Sequence, residues 1–184
     1  TDGSQKFTAK YVGSGDEKTD ITSAVQAKAL REKLVDQKFS ITSVKTGERR
    51  KNPQPPFTTS NLQQEAVRKL SFTTKKTMQI AQMLYEGVDI EGEGTVGLIS
   101  YIRTDSTRLS DEALTAARDY ISANFAPEYL PETPNIYKGR KNAQDAHEAI
   151  RPTHALFSPE KVKASLTRDQ YRLYKLIYDR YLAS

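Results

Sequence analysis

The sequence has 184 residues, 36% of them hydrophobic and none of them cysteine, enough for one ordinary domain or a domain plus part of another. Without cysteine there are no disulfides and no thiolate metal sites, which fits a cytoplasmic setting; no apolar run approaches the roughly 20 residues of a membrane span, and no signal-peptide pattern opens the chain. Lys and Arg outnumber Asp and Glu by 28 to 23, and residues 1–52 hold 11 of the basic and 7 of the acidic side chains, a weak positive balance that tolerates nucleic acid without demonstrating it.

In chain order, residues 7–12 alternate like an edge or half-buried strand. Thr22 or Ser23 caps a helix running to about Gln37, with Val25, Ala29, Leu30 and Leu34 on one face. Residues 39–44 alternate again and read as a second strand, ended by Thr46-Gly47. Such a strand–helix–strand unit is too small to bury both its faces, so residues 1–52 read as part of a larger β-rich domain. Arg49-Arg50-Lys51-Asn52-Pro53-Gln54-Pro55-Pro56 is a basic, proline-rich joint in which proline bars helix, and a second domain follows over residues 53–184.

Ser60-Asn61-Leu62-Gln63 spells a capping box, and Leu62, Ala66 and Leu70 recur at four-residue spacing behind it. Ser71-Phe72-Thr73 makes a turn, and Thr74 caps a second helix with Met78, Ala81, Leu84 and Tyr85 on its apolar face. Two short helices about a tight turn suit a helix-turn-helix or a generic helical hairpin equally well. Gly92-Glu93-Gly94-Thr95-Val96-Gly97 spells G-x-G-x-x-G but follows acidic residues and precedes a strand, the reverse of a dinucleotide site; a flexible loop is the expectation. No G-x-x-x-x-G-K-[ST] run occurs, so nothing suggests ATP use.

Residues 97–102 read as a short strand, with side chains two apart on one face. Tyr101, Arg103 and, if the strand persists, Asp105 then form a row of phenol, guanidinium and carboxylate. A phenol of pKa about 10 is a poor nucleophile until a neighbouring cation favours its anion, and an arginine fork suits a phosphodiester. On spacing alone the favoured reading is a half-exposed packing pair. Ser110 caps a further helix with Asp111 and Glu112 in its first turn and Leu114, Ala117 and Ile121 on its apolar face. Pro127, Pro131 and Pro134 punctuate a loop, and Lys138, Arg140 and Lys141 form a basic cluster of solvated type. In Ala143-Gln144-Asp145-Ala146-His147-Glu148-Ala149-Ile150-Arg151-Pro152-Thr153, His147 and Arg151 share a face if the turn is helical. The run is no zinc-protease motif, since Arg151 stands where the second histidine belongs. A closing helix from about Thr167 carries Tyr171, Leu173, Tyr174, Ile177, Tyr178 and Leu182, aromatics expected in the core.

Two of these runs carry a resemblance. Tyr101-Ile102-Arg103-Thr104-Asp105-Ser106-Thr107 resembles the active-site signature of type IA DNA topoisomerases, in the spelling of the bacterial members, and the run around His147 resembles the family's second signature, in the same order and about forty residues on. Pro55 to Ser60, Leu62-Gln63-Gln64 and Tyr85-Glu86-Gly87 extend the likeness over residues 53–184; residues 1–52 fit the preceding arch-forming β domain less distinctively. The resemblance implies an α+β fold: a mainly helical domain with a helix-turn-helix core like that of catabolite activator protein, a short strand bearing the tyrosine, and a partial β-rich arch before it. It implies Tyr101 as nucleophile, Arg103 on the scissile phosphate, His147 placing the DNA strand, and Arg151 and Asp105 shaping the site. The implied reaction is ATP-independent relaxation of negatively supercoiled DNA through a 5′-phosphotyrosine link to a cut single strand. The implied Mg²⁺ belongs to an acidic Toprim domain; no Asp-x-Asp-x-Glu cluster occurs here, and Asp89, Glu91 and Glu93 read as solvent-facing, so no metal is expected in this chain. Expected partners are single-stranded DNA and the remaining domains of a parent chain in the bacterial nucleoid, with the fragment itself monomeric and inactive alone. A non-enzymatic helix-turn-helix module is the competing reading, although Lys75 and Lys76 followed by Thr77-Met78-Gln79 are thin for base readout; a plain interaction domain with its tyrosines in the core is the third.

Overall fold

The computed structural model describes residues 7–14, 17–48, 52–137 and 147–184. The chain divides into two compact units, residues 1–49 and 50–184.

In the first unit, helix α1 (Ala24–Leu34) starts where the side chains of Ser23 and Gln26 close a reciprocal capping box. The Gln26 carboxamide accepts from the Thr22 and Ser23 amides at 3.0 and 3.2 Å. No residue of α1 is buried. The expected strands do not form. Residues 7–12 and 39–44 have no regular structure, and the only pairing described in this unit joins the two-residue strands β1 (Gly13–Ser14) and β2 (Glu17–Lys18). Phe7, Phe39, Ile41 and Val44 are all exposed. Alternation prepares a strand for one buried face, but the ladder has to come from a neighbour, and the described residues supply none.

The second unit is mainly helical. Helices α2 (Thr59–Leu70) and α3 (Thr74–Glu86) are joined by a three-residue turn in which Ser71 is left-handed and its N–H reaches the Ala66 and Val67 carbonyls. Their caps lie one or two residues earlier than the sequence suggests: Thr58, not Ser60, caps α2, and Thr73, not Thr74, caps α3. The second face is also rotated, burying Thr77, Ile80, Ala81 and Leu84 while Tyr85 stays partly exposed. The glycine-rich run is not a flexible loop. It is a tight hairpin of β3 (Val88–Ile90) and β4 (Gly94–Val96), with Gly92 and Gly94 at φ +81° and +76°, conformations that favour glycine.

Helix α4 (Asp111–Asn124) begins at Ser110, whose hydroxyl accepts from the Ala113 amide, and buries Ala113 and Ala117 rather than Leu114 and Ile121. These small residues admit Tyr181 of the last helix, which donates to the Ala113 carbonyl at 2.5 Å. A 3-10 turn (Pro127–Tyr129) and a four-residue helix α5 (Pro159–Val162) occupy the connections. The expected basic cluster Lys138, Arg140 and Lys141 lies outside the described residues, as do Ala143 to Ala146 of the second run. Helix α6 (Arg168–Leu182), capped by a Thr167–Gln170 box, packs against α2, α3, α4 and α5. It drives Leu173, Tyr174 and Ile177 into one core with Phe57, Leu62, Ala81, Leu84, Leu98, Ile99 and Ile150.

Candidate active site

Three non-helical segments lie side by side on that core: residues 57–58, just before α2, 97–108 and 147–153. Phe57 bridges Ile150, and Ile99 bridges Pro152, both antiparallel. Around the second bridge, Thr153 N–H donates to the Leu98 carbonyl at 3.0 Å and Ser100 N–H to the Arg151 carbonyl at 2.9 Å.

The expected strand stops there. A ladder would next join the Arg151 N–H to the Ser100 carbonyl, but that N–H goes to the Ser100 hydroxyl at 3.0 Å, and the same hydroxyl donates to the Ala149 carbonyl at 2.8 Å. The chain then bends at Ile102 and Arg103. The bend is fixed by Thr59, whose hydroxyl donates to the Ile102 carbonyl at 2.7 Å and accepts from the Thr104 N–H at 3.0 Å. Tyr101 therefore sits on an irregular segment, not on a strand. Burial still alternates through it: Ile102, Thr104 and Ser106 are buried, while Tyr101, Arg103 and Asp105 are exposed.

Tyr101 is 44% exposed and stands between two rings. Tyr85, at the end of α3, meets it edge-on with centroids 5.6 Å apart, and the His147 ring lies at 6.0 Å, tilted by 41°. The site brings together Tyr101 and His147 from segments 46 positions apart in sequence. Among the described residues, the Tyr101 hydroxyl has no hydrogen-bond partner, and Arg103 and Asp105 make no ion pair or side-chain hydrogen bond.

Arg151 is placed differently. The turn from His147 to Arg151 is not helical. Its guanidinium is spent internally: Nε and Nη2 reach one Glu148 oxygen at 2.9 and 2.6 Å, and Nη1 donates to the Pro152 carbonyl at 2.9 Å. Both side chains of the pair are about four-fifths covered, at 17% and 21% exposed. Burial pushes the Glu148 carboxyl up, but the Ser110 hydroxyl, the Arg151 guanidinium and the Ser110 amide outweigh it and hold the group below its ordinary range. Glu148, Thr59 and Ser100 support the site without standing out in the sequence. Glu148 had a signal, three residues before an arginine in the second run; Thr59 and Ser100 act on backbone groups far along the chain and had none.

The site offers an accessible phenol, an unpaired guanidinium and an imidazole, a set suited to attack on an anionic ester. Among the described residues no group of three or more His, Asp or Glu can hold a metal ion. Glu93, from the acidic hairpin, pairs with Lys161 at 3.4 Å, and Ile90 beside it is buried. These residues do not fit a magnesium site.

Comparison with known proteins points one way. A family model described as DNA topoisomerase matches residues 2–184. DNA topoisomerase 1 of Rickettsia felis and that of Rickettsia prowazekii are each 50% identical over 181 residues, covering 96% of this chain and 23% of theirs. The structure of full-length topoisomerase I from Thermotoga maritima superposes with a TM-score of 0.69 at 40% identity, over 92% of this chain and 26% of that one. The chain thus spans about a quarter of the length of these relatives.

Proposed function

Since this chain belongs to the bacterial type IA DNA topoisomerase family, we propose that it is the part of such an enzyme that carries the nucleophile, Tyr101. The observation that carries this reading is the exposed phenol, without a hydrogen-bond partner among the described residues and flanked by His147, with Arg103 exposed two residues on. Residues 53–184 are then the tyrosine domain, with α2 and α3 as its helix-turn-helix-like core, and residues 1–52 belong to the arch.

The chemistry is a transesterification. The Tyr101 oxygen loses its proton and bonds to a backbone phosphorus of single-stranded DNA. The bond from phosphorus to the 3′-oxygen breaks, that oxygen takes up a proton, and the 5′-phosphate stays on the tyrosine. Arg103 meets the charge that builds on the phosphate oxygens, and His147 holds the strand beside the phenol. Asp105 and Arg151 shape the surroundings, Arg151 from within its ion pair. The new ester stores the energy of the broken one, so religation by the 3′-oxygen needs no ATP. The Mg²⁺ of the parent enzyme would be held by another part of the protein, not by the residues around Tyr101.

The duplex-reading alternative is weaker than the sequence alone suggests. Lys76 on α3 is held by Asp169 at 2.5 Å and lies over the Phe72 ring, so among the described residues Lys75 is the basic side chain at that helix start without such a partner.

Relaxation of negatively supercoiled DNA by the parent enzyme carrying Tyr101→Phe tests the proposal. Loss of relaxation to background, with DNA binding and unfolding midpoint unchanged, is expected; preserved relaxation refutes it. The 184-residue chain alone is expected to bind single-stranded DNA in a salt-sensitive way and not to relax DNA.

A further inference from the structure

Glu148 sits next to His147 and has no assigned role in the reaction. Arg151 is a fixed point of the fold: its carbonyl accepts from the Ser100 amide, its N–H donates to the Ser100 hydroxyl, and the next residue bridges Ile99. Three residues earlier, the Glu148 carboxylate is gripped by two nitrogens of the same arginine. The bond spans residues 148–151, a stretch without helix or turn that the Phe57–Ile150 bridge also holds. Between the two, Ala149 is tied through its N–H to the Arg108 carbonyl at 2.8 Å and through its carbonyl to the Ser100 hydroxyl. A chain held this way leaves the loop at His147 in a set direction, toward the ring of Tyr101, the residue after Ser100.

We propose that Glu148 is a positioning residue: its ion pair with Arg151 fixes the stretch 148–151 that sets the His147 imidazole against Tyr101. The inference rests on the reading of Tyr101 as nucleophile. The alternative role, that Glu148 only adds to the stability of the fold, is separable by coupling. A group that acts through His147 has nothing left to act on once the imidazole is gone, whereas a general packing defect adds its cost regardless.

The experiment uses the full-length parent enzyme and measures single-turnover cleavage of a single-stranded oligonucleotide at saturating DNA. The variants are Glu148→Gln, His147→Ala and the double variant. Glu148→Gln is expected to slow cleavage on the order of 10- to 100-fold, as small misplacements of reacting groups do, with DNA affinity changed less than about twofold, the size of a loss that leaves binding contacts intact. The double variant is expected to be no slower than His147→Ala alone. Cleavage by Glu148→Gln at the wild-type rate overturns the inference, as do losses that multiply in the double variant or an untouched rate in His147→Ala. If Glu148→Gln does not yield folded enzyme, Arg151→Lys takes its place: it keeps the charge, loosens the two-nitrogen grip and is paired with His147→Ala in the same way, with the same rates supporting or overturning the inference. A Tyr101→Phe control separates the two levels. Adduct formation in that control sinks the nucleophile reading itself; wild-type cleavage by Glu148→Gln beside a dead control sinks only the positioning role.

Discussion

At the scale of the residue, the chain sorts its tyrosines by what their hydroxyls do. Tyr174, Tyr178 and Tyr181 donate to the carbonyls of Phe157, Ala155 and Ala113, and burial pushes all three phenols up, away from ionisation. Their hydroxyls hold the fold together and are closed to an incoming phosphate. Among the described residues the Tyr101 hydroxyl has no hydrogen-bond partner. The sequence made this division legible, because the aromatics at helical spacing on α6 read as core while Tyr101 stood in a run of different periodicity. It did not make Thr59 legible. That hydroxyl supports the bend after Tyr101 from 43 and 45 positions away, a contact that no local pattern encodes. Thr59→Val leaves the Ile102 carbonyl and the Thr104 amide without this partner and is expected to cost about 1–3 kcal/mol. Thermal unfolding of the variant checks the cost, at about 2–4 °C per kcal/mol for a chain of this size. Single-turnover cleavage in the parent should fall with it, although Thr59 is not assigned to the DNA.

At the scale of the element, the segment that bears Tyr101 keeps a strand's alternation and lacks a strand's ladder. Period-2 patterning foretold which side chains face out, and the three polar groups of the row are exposed. Pairing is a property of the neighbour, and here the neighbour's Arg151 N–H is diverted to the Ser100 side chain. The segment is also pressed against the end of α3: the Leu98 amide donates to the Leu84 carbonyl at 2.8 Å, and a Cβ on Gly97 would stand 2.7 Å from the Tyr85 carbonyl oxygen. Gly97→Ala therefore forces the segment away from the helix that presents Tyr85. Overpacking of this kind costs about 1–3 kcal/mol. Urea unfolding is expected to show that loss; an unchanged midpoint would mean that the helix end yields freely.

At the scale of the molecule, residues 50–184 are organised by α6, and the site is built on connections that this helix's core supports. Ile177→Ala, at a fully buried position of α6, is expected to cost about 2–5 kcal/mol. Chemical denaturation of the chain checks it. The capped helices α2, α3, α4 and α6 were legible because caps and apolar spacing are local signals. In the first unit the helix capped at Ser23 was legible in the same way, but the strands were not, because alternation over residues 7–12 and 39–44 announces faces whose partners are not among the described residues. The central claim concerns one oxygen atom. Full-length enzyme trapped in the act of cutting a single-stranded oligonucleotide, digested with trypsin and read by mass spectrometry, reports which side chain holds the DNA. The account predicts that the peptide ending at Arg103 carries a 5′-linked nucleotide phosphate on Tyr101. A nucleotide on any other residue, or a cut strand with no covalently attached peptide, contradicts it.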